Sequence, residues 1–247
     1  MRYFIGNWKM FGVPKSINIL NKINSFNSKD KNRNKYRVVI TPPYTLIENY
    51  AKYFKNKKIS IGSQNCYHKD LFSSNTAAIS PYMIKNVGAK FTLVGHSDNR
   101  GEGDTNSMLK NKVLFALKNN LKVVFCIGEN KFEKKNNKTF SVLKKQLNNV
   151  LEKKFNKNNI IVAYEPIWSI GTGKIPTAKE LQKTTIHIKK VLINIFKKNS
   201  PAVLYGGSVD GSNVKMFKKI KEIDGFLIGG ASKSSKKFID IIKNYYR

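Results

Sequence analysis

The sequence predicts a closed, parallel (β/α)8 barrel folded as one domain over residues 1–247. Three observations carry this expectation. Short apolar runs alternate with longer amphipathic ones along the whole chain. The short runs are continuously apolar rather than alternating, as in parallel strands buried on both faces. Eight of them recur at a spacing of about 31 residues, the length of one strand–helix unit of a barrel. No linker or composition shift divides the chain, and α/β barrels commonly reach 247 residues as one unit.

The elements follow in order. The first strand is Tyr3–Gly6, and Pro14 suits the first turn of a helix whose Ile17, Leu20, Ile23 and Phe26 share a face. Arg37–Thr41 and Ile59–Ser63 are the second and third strands. The fourth, Phe91–Gly95, precedes a helix capped by Thr105 or Asn106, with Met108, Leu109, Val113, Leu114 and Leu117 facing the core. After the fifth strand, Val123–Ile127, a helix from Thr139 carries Val142, Leu143, Leu147, Val150 and Leu151. The sixth, Ile160–Tyr164, leads through a loop to a helix from Thr177 that runs past Leu181, Ile188, Val191 and Ile195. The seventh and eighth, Ala202–Tyr205 and Gly225–Ile228, are followed by helices at Ser212–Ile220 and Ser234–Tyr245. The Lys/Asn-rich segments 28–35, 130–138 and 153–159 are expected as solvated loops.

Charge is the strongest compositional signal: 46 Lys+Arg against 15 Asp+Glu, a net +31. Such a balance raises the question of a nucleic-acid or acidic-surface partner. Arginine, however, occurs only at Arg2, Arg33, Arg37, Arg100 and Arg247. Lysine supplies the rest, spread along the chain and repeatedly beside asparagine. Specific readers of nucleic acid favour arginine's planar fork. The excess therefore reads as compositional drift, with no specific nucleic-acid partner, though non-specific attraction to polyanions at low salt follows from charge alone. No apolar run approaches the roughly 18 residues of a membrane span, so no membrane partner is expected. The first residues lack the apolar core of a signal peptide. Cys66 and Cys126 form no disulfide framework, and free thiols suit a cytoplasmic location.

The most informative stretch is Ala163–Lys174. An apolar strand ends in a lone carboxylate, Glu165. Pro166 stiffens the entry to the following loop, and Gly171 and Gly173 free its tip, so the loop suits a lid that swings as a unit over a base. Barrel active sites gather at the carboxyl ends of the strands. There the first strand presents Asn7 and Lys9, the fourth His96, Ser97 and Asp98, and the sixth Glu165. The seventh and eighth end in Gly206-Gly-Ser208 and Gly229-Gly-Ala-Ser232, turns that offer backbone N–H groups to a phosphate. A glutamate without a metal-ligand set is suited to proton abstraction; a lysine and a histidine suit polarisation of a carbonyl. His68 and His187 fall in a loop and a helix and carry no assigned chemistry. The chemistry expected is metal-free proton transfer beside the carbonyl of a small phosphorylated sugar, without cofactor.

These motifs, with Asn7-Trp-Lys-Met10, Cys126-Ile-Gly-Glu129, Ala163-Tyr-Glu-Pro-Ile-Trp168 and Tyr205-Gly-Gly-Ser-Val209, resemble the triosephosphate isomerase family from end to end and in order. The resemblance implies a TIM barrel that interconverts dihydroxyacetone phosphate and D-glyceraldehyde 3-phosphate, a step of glycolysis and gluconeogenesis. It implies Glu165 as the base, His96 as the electrophile, Lys9 as the neutralising cation and Asn7 as a substrate ligand. Backbone at Gly171, Ser208, Gly229 and Gly230 would hold the phosphate. The family is itself a standard worked case of a glutamate base, a neutral histidine and a closing loop. It also implies a homodimer through the loop after the third strand, with Thr76 reaching the neighbour's site.

Two departures stand out. Where the family usually has Ser-Glu-Arg-Arg after the histidine, this chain has Ser97-Asp98-Asn99-Arg100. Asp98 keeps a catalytic-site carboxylate that is one methylene shorter, expected to sit back by roughly an ångström and to slow the reaction. The family's usual glutamate before Ile79-Ser-Pro81 is Ala78, and its usual arginine is Asn99. Losing both members of that ion pair leaves no orphan charge, so a rewired dimer contact is expected. Other metal-free phosphate-binding barrels are the competing reading, as is a basic binding protein on a degenerate barrel. An aldolase needs a Schiff-base lysine deep in a strand and an epimerase needs metal ligands, and neither pattern is present; a degenerate barrel would have eroded motifs.

Overall fold

A computed structural model describes every residue of the chain, Met1–Arg247. Eight parallel strands close into a barrel in sequence order. They are β1 (Arg2–Asn7), β2 (Tyr36–Thr41), β3 (Ile59–Ser63), β4 (Phe91–Val94), β5 (Lys122–Ile127), β6 (Ile160–Tyr164), β7 (Ala202–Tyr205) and β8 (Gly225–Ile228). Each pairs with the next, and β8 closes on β1 through Tyr3 opposite Gly225 and Gly6 opposite Ile228. The expected strands differ only at their ends. Gly95 leaves β4 because its φ of +74° turns the chain out of the sheet, a conformation that costs glycine little.

Ten helices surround the strands: α1 (Ile17–Lys29), α2 (Tyr44–Tyr53), α3 (Pro81–Asn86), α4 (Ser97–Gly101), α5 (Asn106–Lys118), α6 (Lys131–Lys135), α7 (Thr139–Val150), α8 (Ala178–Phe196), α9 (Val214–Lys218) and α10 (Ser235–Tyr246). Pro14 opens a tight turn, Pro14–Ser16, ahead of α1 instead of the α-helix itself. Thr105 is the cap of α5, its hydroxyl accepting from the Met108 N–H. Segment 130–138 is not a solvated loop throughout. It contains α6, nucleated by a reciprocal cap in which Asn130 Oδ1 accepts from the Glu133 N–H and Glu133 Oε2 from the Asn130 N–H, each at 2.8 Å. Segments 28–35 and 153–159 likewise include the end of α1 and a short turn, Lys157–Asn159. The helix expected over Ser212–Ile220 shrinks to α9, because Asp210 Oδ1 captures the N–H groups of Ser212 (2.7 Å) and Asn213 (3.0 Å) and holds the chain in a turn.

Strand residues alternate between two cores. Ile5, Val39, Phe91, Leu93, Val124, Cys126, Ile161, Ala163, Leu204 and Leu227 fill the barrel, and a larger layer packs between strands and helices. Both cysteines are buried and free. No helix is long and apolar enough to cross a membrane.

The long loop after β3 is anchored at its base by a buried ion pair. Lys112 on α5 places Nζ 2.6 and 2.8 Å from the Asp104 carboxylate and 3.0 Å from Asn65 Oδ1. The two charged side chains are 4% and 8% exposed, so each depends on the other for its solvation. Lys112→Met is therefore expected to destabilise the fold by about 3–5 kcal/mol by orphaning Asp104. Adding Asp104→Asn should recover part of that loss; urea denaturation of the single and double variants measures both effects.

Candidate active site

The carboxyl ends of the strands open into a cleft of about 990 Å³. Its walls include Asn7, Lys9, His96, Glu165, Gly171, Ser208, Gly229 and Gly230. Asp98 stands behind this lining, and Thr76 lies exposed on the loop after β3, outside it.

Lys9 follows β1 with a φ of +53°, unfavourable for a residue with a side chain and costing of order 1–3 kcal/mol. Its surroundings hold it there. Its N–H donates to Asn7 Oδ1 at 3.0 Å, and its carbonyl accepts from Gln64 Nε2 at 2.8 Å. Gln64 Nε2 also donates to the Thr41 carbonyl at 2.9 Å, tying the lysine turn to β2 and the end of β3. Sequence motifs gave no signal for Gln64, because its partner lies 55 residues away. Lys9 Nζ reaches Asp98 Oδ2 at 3.0 Å, so the shortened carboxylate still meets the lysine. Burial pushes the Asp98 carboxyl up, but the Lys9 ammonium and His96 hold it below its ordinary range.

His96 is 4% exposed and caps α4. The Asp98 N–H donates to His96 Nδ1 at 3.1 Å, so Nδ1 presents its lone pair. In the neutral ring the proton is then on Nε2, which lies 3.5 Å from Glu165 Oε1.

Glu165 ends the β6 run, its N–H donating to the Ile127 carbonyl at 2.7 Å. It is 4% exposed, and Oε2 has no protein partner. Burial pushes its carboxyl up; His96, the Cys126 thiol and Lys9 partly offset this. Backbone crowds it closely. A Cβ on Gly128 would lie 1.8 Å from the Glu165 carbonyl oxygen, and one on Gly206 would lie 2.5 Å from Glu165 Cγ. Gly206, read from sequence as part of a phosphate cradle, packs directly against the Glu165 side chain.

The lid begins at Pro166, and its tip glycines have φ of +69° and +73°. It is docked. The Gly173 N–H donates to Ser208 Oγ at 3.3 Å, while that hydroxyl donates to the Ser169 carbonyl at 2.8 Å. Ser169 Oγ lies 3.1 Å from the Tyr205 hydroxyl. At the entry, Glu129 Oε1 accepts from Trp168 Nε1 (2.8 Å) and the Tyr164 hydroxyl (3.1 Å). Lys134 Nζ sits 3.5 Å over the Trp168 ring and 3.6 Å from Glu180 Oε1. Glu180 caps α8 through Thr177, just beyond the lid. Glu129, Lys134 and Glu180 thus bracket both ends of the docked loop. Sequence reasoning placed Glu129 only inside a motif and Lys134 only in a solvated stretch. The Asn130-x-x-Glu133 cap was the available signal. No group of three or more His, Cys, Asp or Glu side chains is placed to hold a metal ion.

Comparison with known proteins follows the same outline. The model of the triosephosphate isomerase family matches residues 2–245. The triosephosphate isomerase of Saccharomyces cerevisiae is 37% identical over 248 residues, covering 98% of each chain. That of Thermodesulfovibrio yellowstonii is 34% identical over 245 residues, again covering 98% of each. The crystal structure of triosephosphate isomerase from Bartonella henselae aligns with a TM-score of 0.91 at 30% identity, covering 100% of this chain and 99% of that one.

The Lys134 contact gives a direct prediction. A cation over an exposed ring contributes about 0.5–1 kcal/mol, so Lys134→Met should weaken lid docking by about 2–5-fold. Trp168 emission should shift and become more quenchable, since the only other tryptophan, Trp8, is fully buried. Lys134→Arg should restore the parent spectrum.

Proposed function

The chain belongs to the triosephosphate isomerase family, and from that premise we infer how its residues divide the reaction. The enzyme interconverts dihydroxyacetone phosphate and D-glyceraldehyde 3-phosphate. Glu165 takes a proton from the carbon beside the substrate carbonyl and returns it to the neighbouring carbon. His96 donates its Nε2 proton to the oxygen that becomes negative, and recovers a proton from the adjacent hydroxyl. Lys9 balances the enediolate charge, and Asn7 fixes the Lys9 turn and borders the substrate. Asp98 positions Lys9. Backbone at Gly171, Ser208, Gly229 and Gly230 faces the phosphate, and the docked lid keeps water from the intermediate. The observation that carries this assignment is the buried pair itself: a glutamate with a free oxygen, 3.5 Å from a ring nitrogen whose tautomer the backbone fixes.

The unbroken ring of strand pairing supports a single folding domain, and two free thiols support a cytoplasmic setting. A homodimer is supported by large apolar side chains left open after β1 and in the loop after β3: Met10 at 99% exposure, Val13, Leu71 and Phe72. In this reading Thr76 faces the partner, and Ala78 and Asn99 make a contact without charge.

Two measurements test these assignments. In a coupled assay of glyceraldehyde 3-phosphate isomerisation, Glu165→Gln should lose about 10²–10⁴-fold in kcat. Wild-type activity no higher than this variant's would reject the enzyme reading. Activity needs Glu165 ionised, and burial raises its carboxyl above the ordinary 4.5. The acid limb of kcat/KM should therefore lie above that of an ordinary glutamate. The same shift has a sign for stability: Glu165 is tolerated best when protonated, at pH below the unfolded value, and burdens the fold as pH rises through the folded value. Glu165→Gln should accordingly be more stable than wild type at pH 7 and not at pH 4. Separately, sedimentation at micromolar concentration should give a dimer, and Phe72→Asp should shift it to monomer; a wild-type monomer would reject the dimer.

A further inference from the structure

Part of the lysine excess that is scattered in the sequence is gathered in the fold. All strands are parallel, so every connection from a helix to the next strand lies at the amino end of the barrel, away from the active-site cleft. Six of these connections carry exposed cations: Lys31 before β2, Lys58 before β3, Lys90 before β4, Lys153 before β6, Lys197 before β7 and Lys221 before β8. Most are accompanied by a second or third exposed lysine or arginine.

The opposing charge there is small, and three of its four carboxylates are already engaged. The only carboxylates in these connections are Asp30, Glu152, Glu222 and Asp224, and none is fully exposed. Asp30 accepts from the Tyr36 hydroxyl at 2.7 Å, Glu152 is held by Lys110 and Lys154, and Asp224 by Lys189 and Arg2. The carboxyl end differs, because Asp98, Glu133, Glu180 and Asp210 are interspersed with its lysines. The two ends of the barrel are therefore unequally charged, and the amino end presents a cluster of cations broken at the connection before β5.

We propose that this amino-end face binds the phosphate backbone of double-stranded nucleic acid, without regard to sequence, while the isomerase site at the other end stays open. The chemistry of the face selects this partner. Lysine supplies point charges for phosphates, and exposed asparagines beside them (Asn34, Asn56, Asn158) add neutral hydrogen-bonding groups for sugar and phosphate oxygens. Scarce arginine means no bidentate reading of bases. Stacking of unpaired bases needs open aromatic faces. The one exposed aromatic bordering these connections, Tyr53, is covered by Lys57 Nζ at 3.3 Å from its ring centre. An anionic lipid surface would be gripped more firmly by apolar side chains that insert. None of the exposed large apolar residues falls in these connections; Met1 and the lysine-covered Tyr53 stand at their rim.

The test uses the intact enzyme and a 20-base-pair duplex of random sequence. Binding should weaken steeply with salt, since each neutralised phosphate contributes about −0.9 to the slope of log K against log salt. Neutralising Lys31, Lys58, Lys153 and Lys221 to Gln should reduce that slope by about three to four. Neutralising four exposed lysines on helix flanks, Lys22, Lys144, Lys179 and Lys236, removes the same net charge and should leave the slope nearly unchanged. Isomerase activity should persist in the duplex-bound protein and in both quadruple variants. Equal losses from the two variants would mean that only total charge matters and would overturn the proposal. So would a duplex that inhibits the isomerase in competition with its substrate, or stronger binding to vesicles rich in anionic lipid than to the duplex at the same salt.

Discussion

One constraint organises the molecule: eight strands close into a ring while all running the same way. Closure leaves no sheet edge, and parallelism sends every strand-to-helix turn to one end and every helix-to-strand turn to the other. Residues far apart in sequence are thereby sorted by which kind of turn they occupy. Lys9, His96 and Glu165 meet because each lies at or just past a strand's carboxyl end. The amino-end lysines meet for the complementary reason. The two sorting rules also set the candidate site apart from the amino-end lysines.

Within the site, the governing difficulty is a carboxylate that must be kept dry. A buried glutamate is a stronger base and a less stable tenant. Gly128 and Gly206 let the backbone pack closely against Glu165, and the Cys126 thiol lies beside its carboxyl. Burial and the neighbouring carboxylate push that thiol well up, so it stays protonated and available as a weak donor. The lid completes the enclosure from above. Its docking depends on hydroxyls of β7 and its turn, Tyr205 and Ser208, and on the Glu129–Trp168 contact at its entry. The base is thus enclosed by elements from three neighbouring strands.

The fold was legible because burial on both faces writes itself as continuous apolar runs, and because strand ends could be read off those runs. Residues of the candidate site were legible where a particular chemical type stands at a strand end, as with Glu165 and His96, which the fold brings within 3.5 Å of each other. Supporting residues were not. Gln64, Glu129, Lys134 and Lys112 act on partners that sequence spacing does not reveal, and their types are commonplace. In this chain the abundance of Lys and Asn also hid real structure: α6 lay inside a segment whose composition suggests a solvated loop, although its Asn130 and Glu133 form a local cap. Composition masked one further fact. Lysines spread evenly along a repeating fold are concentrated in space whenever they share a phase of the repeat.

The shortened carboxylate at Asp98 keeps its contacts in spite of the missing methylene. His96 does not depend on that side chain for its tautomer, because the lone pair on Nδ1 is engaged by the Asp98 backbone N–H, which is the same whether the residue is aspartate or glutamate. Lys9 does depend on it, but lysine has a long flexible stem, and Nζ still closes to 3.0 Å. The Asp98 side chain is 57% exposed, and ion pairs so open contribute about 0–1 kcal/mol, so losing a methylene there risks little. Position matters most where geometry is fixed by backbone and burial. Around Glu165 and His96 both are in place, and the change at Asp98 falls one layer behind, where the reach of Lys9 makes up the difference.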